Sequence, residues 1–252
     1  MLISIITATF NSEAFIKGAI QSLNQQSYPW VEHLIMDGAS TDRTLAIIEE
    51  EQTPKQRFFS SKDRGIYDAL NKGIAQAKGE VIGILHSDDL FASAEVLQKV
   101  AGLFQADDTL MAVYGDLQYV DRKNIHKVIR HWQAGTFQQG DFLWGWMPPH
   151  PTLFIRKVCF EQFGNYNLQF TSAADYELIL RFLYQHQIKT IYIPEVLVKM
   201  RVGGLSNKSI NNRWKANIED RNAMKKNGIP FPYLTAVLKP LRKINQYWHK
   251  NI

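Results

Sequence analysis

Read along its length, the chain encodes an α/β domain around a mostly parallel central sheet. Short apolar, β-rich runs alternate with stretches of helical spacing about 10–15 residues long, the pattern of βαβ units. The apolar runs end in polar clusters, as at the ligand-binding edge of an open parallel sheet. At 252 residues and 45% hydrophobic content, the chain can bury one sizeable core.

The elements follow in order. "LISIITA" (2–8) reads as a buried strand, and "SEAFIKGAIQSLNQQ" (12–26) places Phe15, Ile16, Ala19, Ile20 and Leu23 on one helical face. "VEHLIMD" (31–37) is a second strand, and "STDRTLAIIEEEQ" opens a helix with Ser and Thr cap candidates. "RFFS" (57–60) is a short third strand, and "GIYDALNKGIAQAKG" (65–79) a helix with Gly79 at its stop position. "VIGIL" (81–85) is a fourth strand that runs into Asp88 and Asp89. Beyond residue 110 the pattern loosens. "MAVYGDLQYVD" and "HKVIRHW" alternate like a strand pair, "GDFLWGWMPPHPTLFIRK" is aromatic and Pro-rich, and "SAADYELILRFLYQHQ" is helical. No repeat and no Pro/Gly/Ser linker divides the chain.

Composition narrows the function. No run reaches the roughly 18 apolar residues of a membrane-spanning helix, and "MLISIITATF" lacks the basic region and cleavage site of a signal peptide. The single cysteine, Cys159, excludes an internal disulfide and a cysteine-rich zinc site, and fits a reducing compartment. Charge is uneven. Residues 201–252 hold eleven Lys/Arg and two acids, 11 − 2 = +9, so the first 200 residues carry 5 − 9 = −4. The chain is a slightly acidic body with a basic tail.

Four polar groups follow the four strands: Thr7, Thr9 and Asn11; Asp37 and Gly38; Asp63 and Arg64; Ser87, Asp88 and Asp89. All are expected on one sheet edge. Neither G-x-G-x-x-G nor a P-loop follows the first strand, which runs into "TATFNSE". Two adjacent carboxylates at a strand end instead point to a divalent cation, because Mg²⁺ or Mn²⁺ takes one or two carboxylates plus phosphate oxygens.

These residues resemble a known family. "SIITATFNSEAFIKGAIQSLNQQSYPWVEHLIMDGASTDRT" looks like the opening of glycosyltransferase family 2, enzymes of the GT-A fold, and "SKDRGIYDALNKGIAQAKGEVIGILHSDD" and "PPHPTLFIRK … SAADYELILR" continue the likeness. It covers roughly residues 1–205 and implies a GT-A, Rossmann-like, mostly parallel central sheet flanked by helices. A nucleotide-binding half over 1–115, an acceptor-binding half over 116–205 and a basic helical extension over 206–252 complete the expected organisation.

The resemblance implies transfer of a sugar, with inversion, from a nucleotide diphosphate donor, UDP being preferred, to an acceptor hydroxyl. It implies that Thr7, Thr9 and Asn11 border the nucleotide, that Asp37 reads the base, and that Asp63 and Arg64 contact ribose and diphosphate. Ser87, Asp88 and Asp89 match the metal-binding segment, with Asp89 the direct ligand of Mn²⁺ or Mg²⁺ and Asp88 nearer the ribose. The family often carries an amide or acid where this chain has His86. Asp175 matches the catalytic carboxylate, the general base that inversion needs. Trp144, Trp146 and His150 are candidates for the acceptor site, with aromatic core and a structural hydrogen bond as the alternatives. Arg201 in "MRVGGLS" is a further candidate, for the diphosphate or the acceptor side.

Two other classes compete. A sugar nucleotidyltransferase shares the metal and nucleotide, but its Gly-rich basic loop is missing after the first strand. A nucleic-acid-binding module fits the sequence pI of 9.1, but its basic residues belong among the motif strands, which are net acidic. The expected partners are therefore a nucleotide-sugar donor and a glycan or lipid-linked glycan, with no nucleic acid. Leu234, Val237, Leu238, Leu241, Ile244 and Trp248 form a helical stripe interleaved with Lys239, Arg242, Lys243 and Lys250, which Pro240 is expected to break in two. This tail either packs on the domain or attaches the enzyme peripherally to the inner, cytoplasmic face of an anionic membrane.

Overall fold

The computed structural model describes residues 1–203 and 210–242. Nine strands form one sheet: β1 (Ile3–Thr9), β2 (Val31–Asp37), β3 (Gln56–Ser60), β4 (Val81–Ile84), β5 (Asp89–Phe91), β6 (Ala112–Val120), β7 (Val128–Trp132), β8 (Phe154–Arg156) and β9 (Thr190–Arg201). Eight helices accompany them: α1 (Ile16–Asn24), α2 (Thr44–Glu50), α3 (Ile66–Gln76), α4 (Val96–Ala106), α5 (Lys157–Phe163), α6 (Ala174–Ile179), α7 (Ile210–Lys226) and α8 (Pro232–Arg242). A π-helical turn, Leu180–Gln185, extends α6, and two 3-10 helices cover Gln139–Trp144 and His150–Thr152.

The strand order is β3-β2-β1-β4-β8-β6-β9-β5, with β7 paired to β6. Strands β1 to β4, β6 and β9 run one way, and β5, β7 and β8 the other. The sheet is thus mostly parallel, but the antiparallel β8 is wedged between β4 and β6. Both faces of the sheet are covered, which is why β1 and β2 read as nearly unbroken apolar runs. Ile6 and Ala8 of β1 pack with α3 through Ala69, Leu70 and Ile74. Ile3 and Ile5 pack on the other face with α1 and α4 through Leu23, Leu97, Val100 and Phe104. Alternation along one strand feeds two cores.

Register sets up the edge. Thr9 pairs with Asp37, and Asp37 with Ser60, so three strand ends finish in one row. Gly79 has a different job from the expected helix stop. Helix α3 ends at Gln76, and a Cβ on Gly79 would stand 2.5 Å from Ser4 Oγ and 2.7 Å from its backbone nitrogen. Only glycine permits that approach.

The C-terminal helices belong to the body. Ala223, Met224, Ile229 and Ala236 lie in the same core as Leu178 and Phe182. Pro240 does not divide the tail: it sits inside α8, near its end. The boundary expected at 206, and Lys243, Ile244, Tyr247, Trp248 and Lys250, lie outside the described residues.

Candidate active site

Loops after β1 and β2 are laced together at the row of strand ends. The Asn11 amide donates to Ser40 Oγ (2.9 Å), and Asn11 Oδ1 accepts from the Thr41 amide (2.9 Å). Asn11 adopts φ 47°, a left-handed conformation that asparagine tolerates. Asp37, almost fully buried, accepts from Ser40 Oγ (2.5 Å), the Ser40 amide (3.0 Å) and Ser60 Oγ (2.6 Å). Ser12 Oγ meets Ser87 Oγ at 3.0 Å, tying the β1 loop to the end of β4. Asp63 lies beside Gly38, where an added Cβ would stand 3.4 Å from Asp63 Oδ2, and pairs with Lys72. Arg64 holds Asp68 at 3.2 Å with its side chain mostly in solvent. Thr9 Oγ1 is buried with no hydrogen-bond partner among the described residues. Thr7, by contrast, lies too deep in β1 to border a nucleotide: it is fully buried, and its hydroxyl is 2.9 Å from His33 Nε2.

The base candidate is built by α3 and α6. Asp175, half-buried in the first turn of α6, accepts at Oδ1 from Tyr67 (3.2 Å) and from the Tyr176 amide (2.8 Å). Among the described residues, no donor reaches Oδ2. Burial and the Asp175 charge hold the Tyr67 phenol far above its ordinary pKa, so it remains a donor. Asn71, one turn along α3, clamps the backbone of Tyr166 with two bonds (2.9 and 3.0 Å), and Tyr166 stacks on Tyr67. The Tyr166 hydroxyl lies 2.7 Å from His150 Nε2. His150 is thus a structural member of this network; burial lowers its pKa to about 4 and keeps it neutral.

His86 joins the two halves. Its ring lies 6.1 Å from that of His150, and burial lowers its pKa against the opposing pull of Asp88 and Asp175. Asp175 accepts from Tyr67, which stacks on Tyr166, whose hydroxyl meets His150 beside His86, so His86 links the Asp175 end of the site to Asp88, two residues on. His86 Nδ1 is buried without a hydrogen-bond partner among the described residues.

The acidic pair divides in its exposure. Asp88 is half-buried at the cleft, whereas Asp89 opens β5, pairs with Met200 and is completely buried. Burial first, then the Asp88 charge, push the Asp89 pKa well up, against the pull of Arg201. Both Asp89 oxygens are buried and, among the described residues, have no hydrogen-bond partner, the state of a carboxylate whose partner is a cation, while Asp88 is the more accessible member. Arg201 turns to this corner, donating from Nη1 to the Asp88 carbonyl at 2.7 Å and lying over the Phe15 ring. Among the described residues, no group of three or more His, Cys, Asp or Glu could hold an ion by itself. The unpartnered Asp89 carboxylate with Asp88 beside it fits Mg²⁺ or Mn²⁺, which take one or two carboxylates, keep waters and take substrate phosphates.

Trp146 is corrected outright. It is buried against Tyr114, Phe137 and Phe142, with its indole N–H donating to the Ala134 carbonyl (2.9 Å), so no face is open to a sugar. Trp144 stays exposed. Two contributors carried no isolated sequence signal. Tyr67 lies within the motif segment, but Glu219 of α7 lies far from it: it accepts from Thr171 Oγ1 (2.6 Å), Ser172 Oγ (3.0 Å) and the Ser172 and Ala173 amides (2.8 and 3.1 Å). It caps the helix that bears Asp175.

Comparison with known proteins agrees with this architecture. The family model "Glycosyl transferase family 2" matches residues 4–161. A PGL/p-HBAD biosynthesis glycosyltransferase of Mycobacterium bovis BCG is 28% identical over 217 residues, covering 84% of this chain and 82% of that protein. An uncharacterized glycosyltransferase of Mycobacterium tuberculosis is 30% identical over 186 residues, covering 71% and 68%. Among solved structures, S. aureus TarS 1–349 in complex with UDP-GlcNAc superposes with TM-score 0.68 at 17% identity, covering 92% of this chain and 73% of that one. Another TarS crystal structure is matched over only 39% of its chain. Mannosyltransferase PcManGT from Pyrobaculum calidifontis, in complex with GDP-Man and Mn²⁺, superposes with TM-score 0.66 at 18% identity, covering 94% and 69%. With its family model spanning residues 4–161 and its sheet, helices and strand-end cleft in place, the chain belongs to glycosyl transferase family 2 and is a glycosyltransferase.

Proposed function

We propose that the enzyme transfers a sugar from a UDP-sugar to a hydroxyl of a glycan or lipid-linked glycan, with inversion and with the help of a divalent cation. The observation that carries this reading is the side-chain network that runs from Asp175 through Tyr67, Tyr166 and His150 to His86, two residues before Asp88. Single displacement needs one group to take the acceptor proton. Asp175 suits that role, because Tyr67 and the Tyr176 amide fix Oδ1 and leave Oδ2 for the acceptor hydroxyl.

On the donor side, Thr9, Asp37 and Asp63 line the strand-end row, and Asp37 offers an acceptor for a pyrimidine N–H. Asp89, with Asp88 beside it, would hold Mn²⁺ or Mg²⁺, and the ion, when bound, would stabilise charge on the departing diphosphate as a Lewis acid. Arg201 supports this corner through the Asp88 carbonyl. The donor nucleotides named for the solved neighbours, UDP-GlcNAc and GDP-Man, set the first donors to try.

The test is nucleotide release from a panel of UDP-, GDP- and dTDP-sugars, with and without Mn²⁺, and NMR of the product's anomeric configuration. Release of UDP with an inverted linkage is expected. Retention of configuration would overturn the assignment of a lone base, and release of pyrophosphate would point to nucleotidyl transfer.

A further inference from the structure

Helix α8 is turned inside out for a helix on a protein surface. Its inward side is Thr235, Ala236 and Lys239, all buried. Thr235 donates to the Leu143 carbonyl (2.7 Å), and Lys239 binds Asp220 (2.8 Å) while lying 3.3 Å from the centre of the Tyr176 ring. Its outward side is apolar: Phe231 just before it, then Tyr233, Leu234 and Val237, are 64%, 59%, 56% and 61% exposed. Apolar residues clustered this closely on a surface mark a binding face.

The charges around that face are of one sign. Arg221 and Lys225 of α7 lie over the Tyr233 ring at 5.4 and 4.9 Å, and Lys225 Nζ is 3.1 Å from its hydroxyl. The acids of α7 are both spent inward, Glu219 on Thr171 and Ser172, Asp220 on Lys239. Exposed cations beside an apolar helix face with an aromatic phenol suit a headgroup boundary of negative charge. A second copy fits less well, because a two-fold contact through this face would oppose Arg221 and Lys225 to themselves. The sequence beyond α8 adds Lys243, Tyr247, Trp248 and Lys250.

We propose that the outward face of α8 docks on an anionic lipid bilayer, with Leu234 and Val237 entering the interface and Arg221 and Lys225 meeting headgroups. The proposal does not depend on the transfer reaction. Docking would bring the bilayer to the helix pair that backs α6, since Lys239 covers Tyr176, the neighbour of Asp175.

The experiment is co-sedimentation of the full chain with vesicles of phosphatidylcholine alone or mixed with phosphatidylglycerol, without any sugar donor. Binding is expected only to the mixed vesicles and is expected to weaken as salt rises. Lys225→Glu should lower partitioning at least about fivefold, the weight of one basic residue near such a surface. Leu234→Glu with Val237→Glu should abolish binding while leaving the melting temperature unchanged, as both side chains are exposed. No binding to mixed vesicles, or equal binding to both kinds, would overturn the proposal. So would a dimer dissolved by the double substitution in a chain that ignores lipid. The vesicles carry no glycan, so failure here leaves the transferase reading standing.

Discussion

Glu219→Ala separates the positioning of the base from the binding of the donor. The substitution removes four acceptor contacts at the start of α6, two to amides and two to hydroxyls. Ala173, the residue preceding α6, offers no side-chain cap, so Glu219 supplies one from α7. Losing a cap costs about 1 kcal/mol, and the hydroxyl bonds add about 0.5–1.5 kcal/mol each before water replaces part of them at this half-exposed site. A net loss near 2 kcal/mol corresponds to a melting temperature lower by roughly 4–8 °C for a chain of this size. The catalytic effect should be larger. A drift of about 1 Å in Asp175 costs on the order of a hundredfold in rate, whereas Thr9 and Asp37, on strands, and Asp88, in the turn before β5, lie on segments that Glu219 does not touch. The expected result is a kcat lower by ten- to hundredfold, on that same scale, with UDP affinity unchanged by calorimetry. Glu219→Gln, which keeps one acceptor but sets an amide N–H₂ against a backbone N–H, should fall between. A lowered melting temperature with wild-type kcat would refute the reasoning, because α6 would then hold its base without α7.

Asp89→Asn should abolish Mn²⁺-dependent UDP binding in calorimetry, while Asp88→Asn should weaken it less; unchanged UDP affinity in Asp89→Asn with Mn²⁺ present would undo Asp89 as the ligand. Asp175→Asn should lower kcat by about 10²–10⁴, the range of a lost general base, with donor affinity intact, and Tyr67→Phe should lower it by roughly tenfold for one lost hydrogen bond. Stability should fall as pH drops from about 6.5, the ordinary histidine value, because His33 and His150 are held neutral by burial, with pKa values near 3 and near 4. The unfolded chain binds these protons first, so each histidine contributes up to about 1.4 kcal/mol per pH unit, lost on acidification. Denaturation curves at several pH values check this, and His33→Gln should flatten its share of the slope; a flat wild-type profile would contradict it. Gly83→Ala should destabilise by about 1–3 kcal/mol through overpacking, as its Cβ would stand 2.6 Å from the Phe154 ring; an unchanged melting temperature would show that Phe154 can yield.

The sequence by itself determined the elements whose signals are local. Periodicity placed β1 to β4 and α1 to α3, with ends displaced by up to four residues: the first helix, read as 12–26, spans Ile16–Asn24. The polar residues after those strands were legible as one row of strand ends, where Thr9, Asp37 and Ser60 pair in register. What only the tertiary structure decided depends on pairings distant in sequence. The antiparallel insertion of β8 between β4 and β6, and the pairing of β5 with β9, have no local period to announce them. Pairing β5 with β9 buries Asp89, while Asp88, in the turn before β5, stays half-buried. An aromatic quartet of Tyr114, Phe137, Phe142 and Trp146 withdrew Trp146 from the surface. In α8 the apolar stripe was readable but its direction was not. A stripe faces inward by default because burial removes apolar area from water. Here the inward face belongs to Thr235 and Lys239, whose partners Leu143 and Asp220 come from other elements. A hydrogen bond and a buried ion pair with distant residues orient that helix, and the spacing of residues within it cannot encode either.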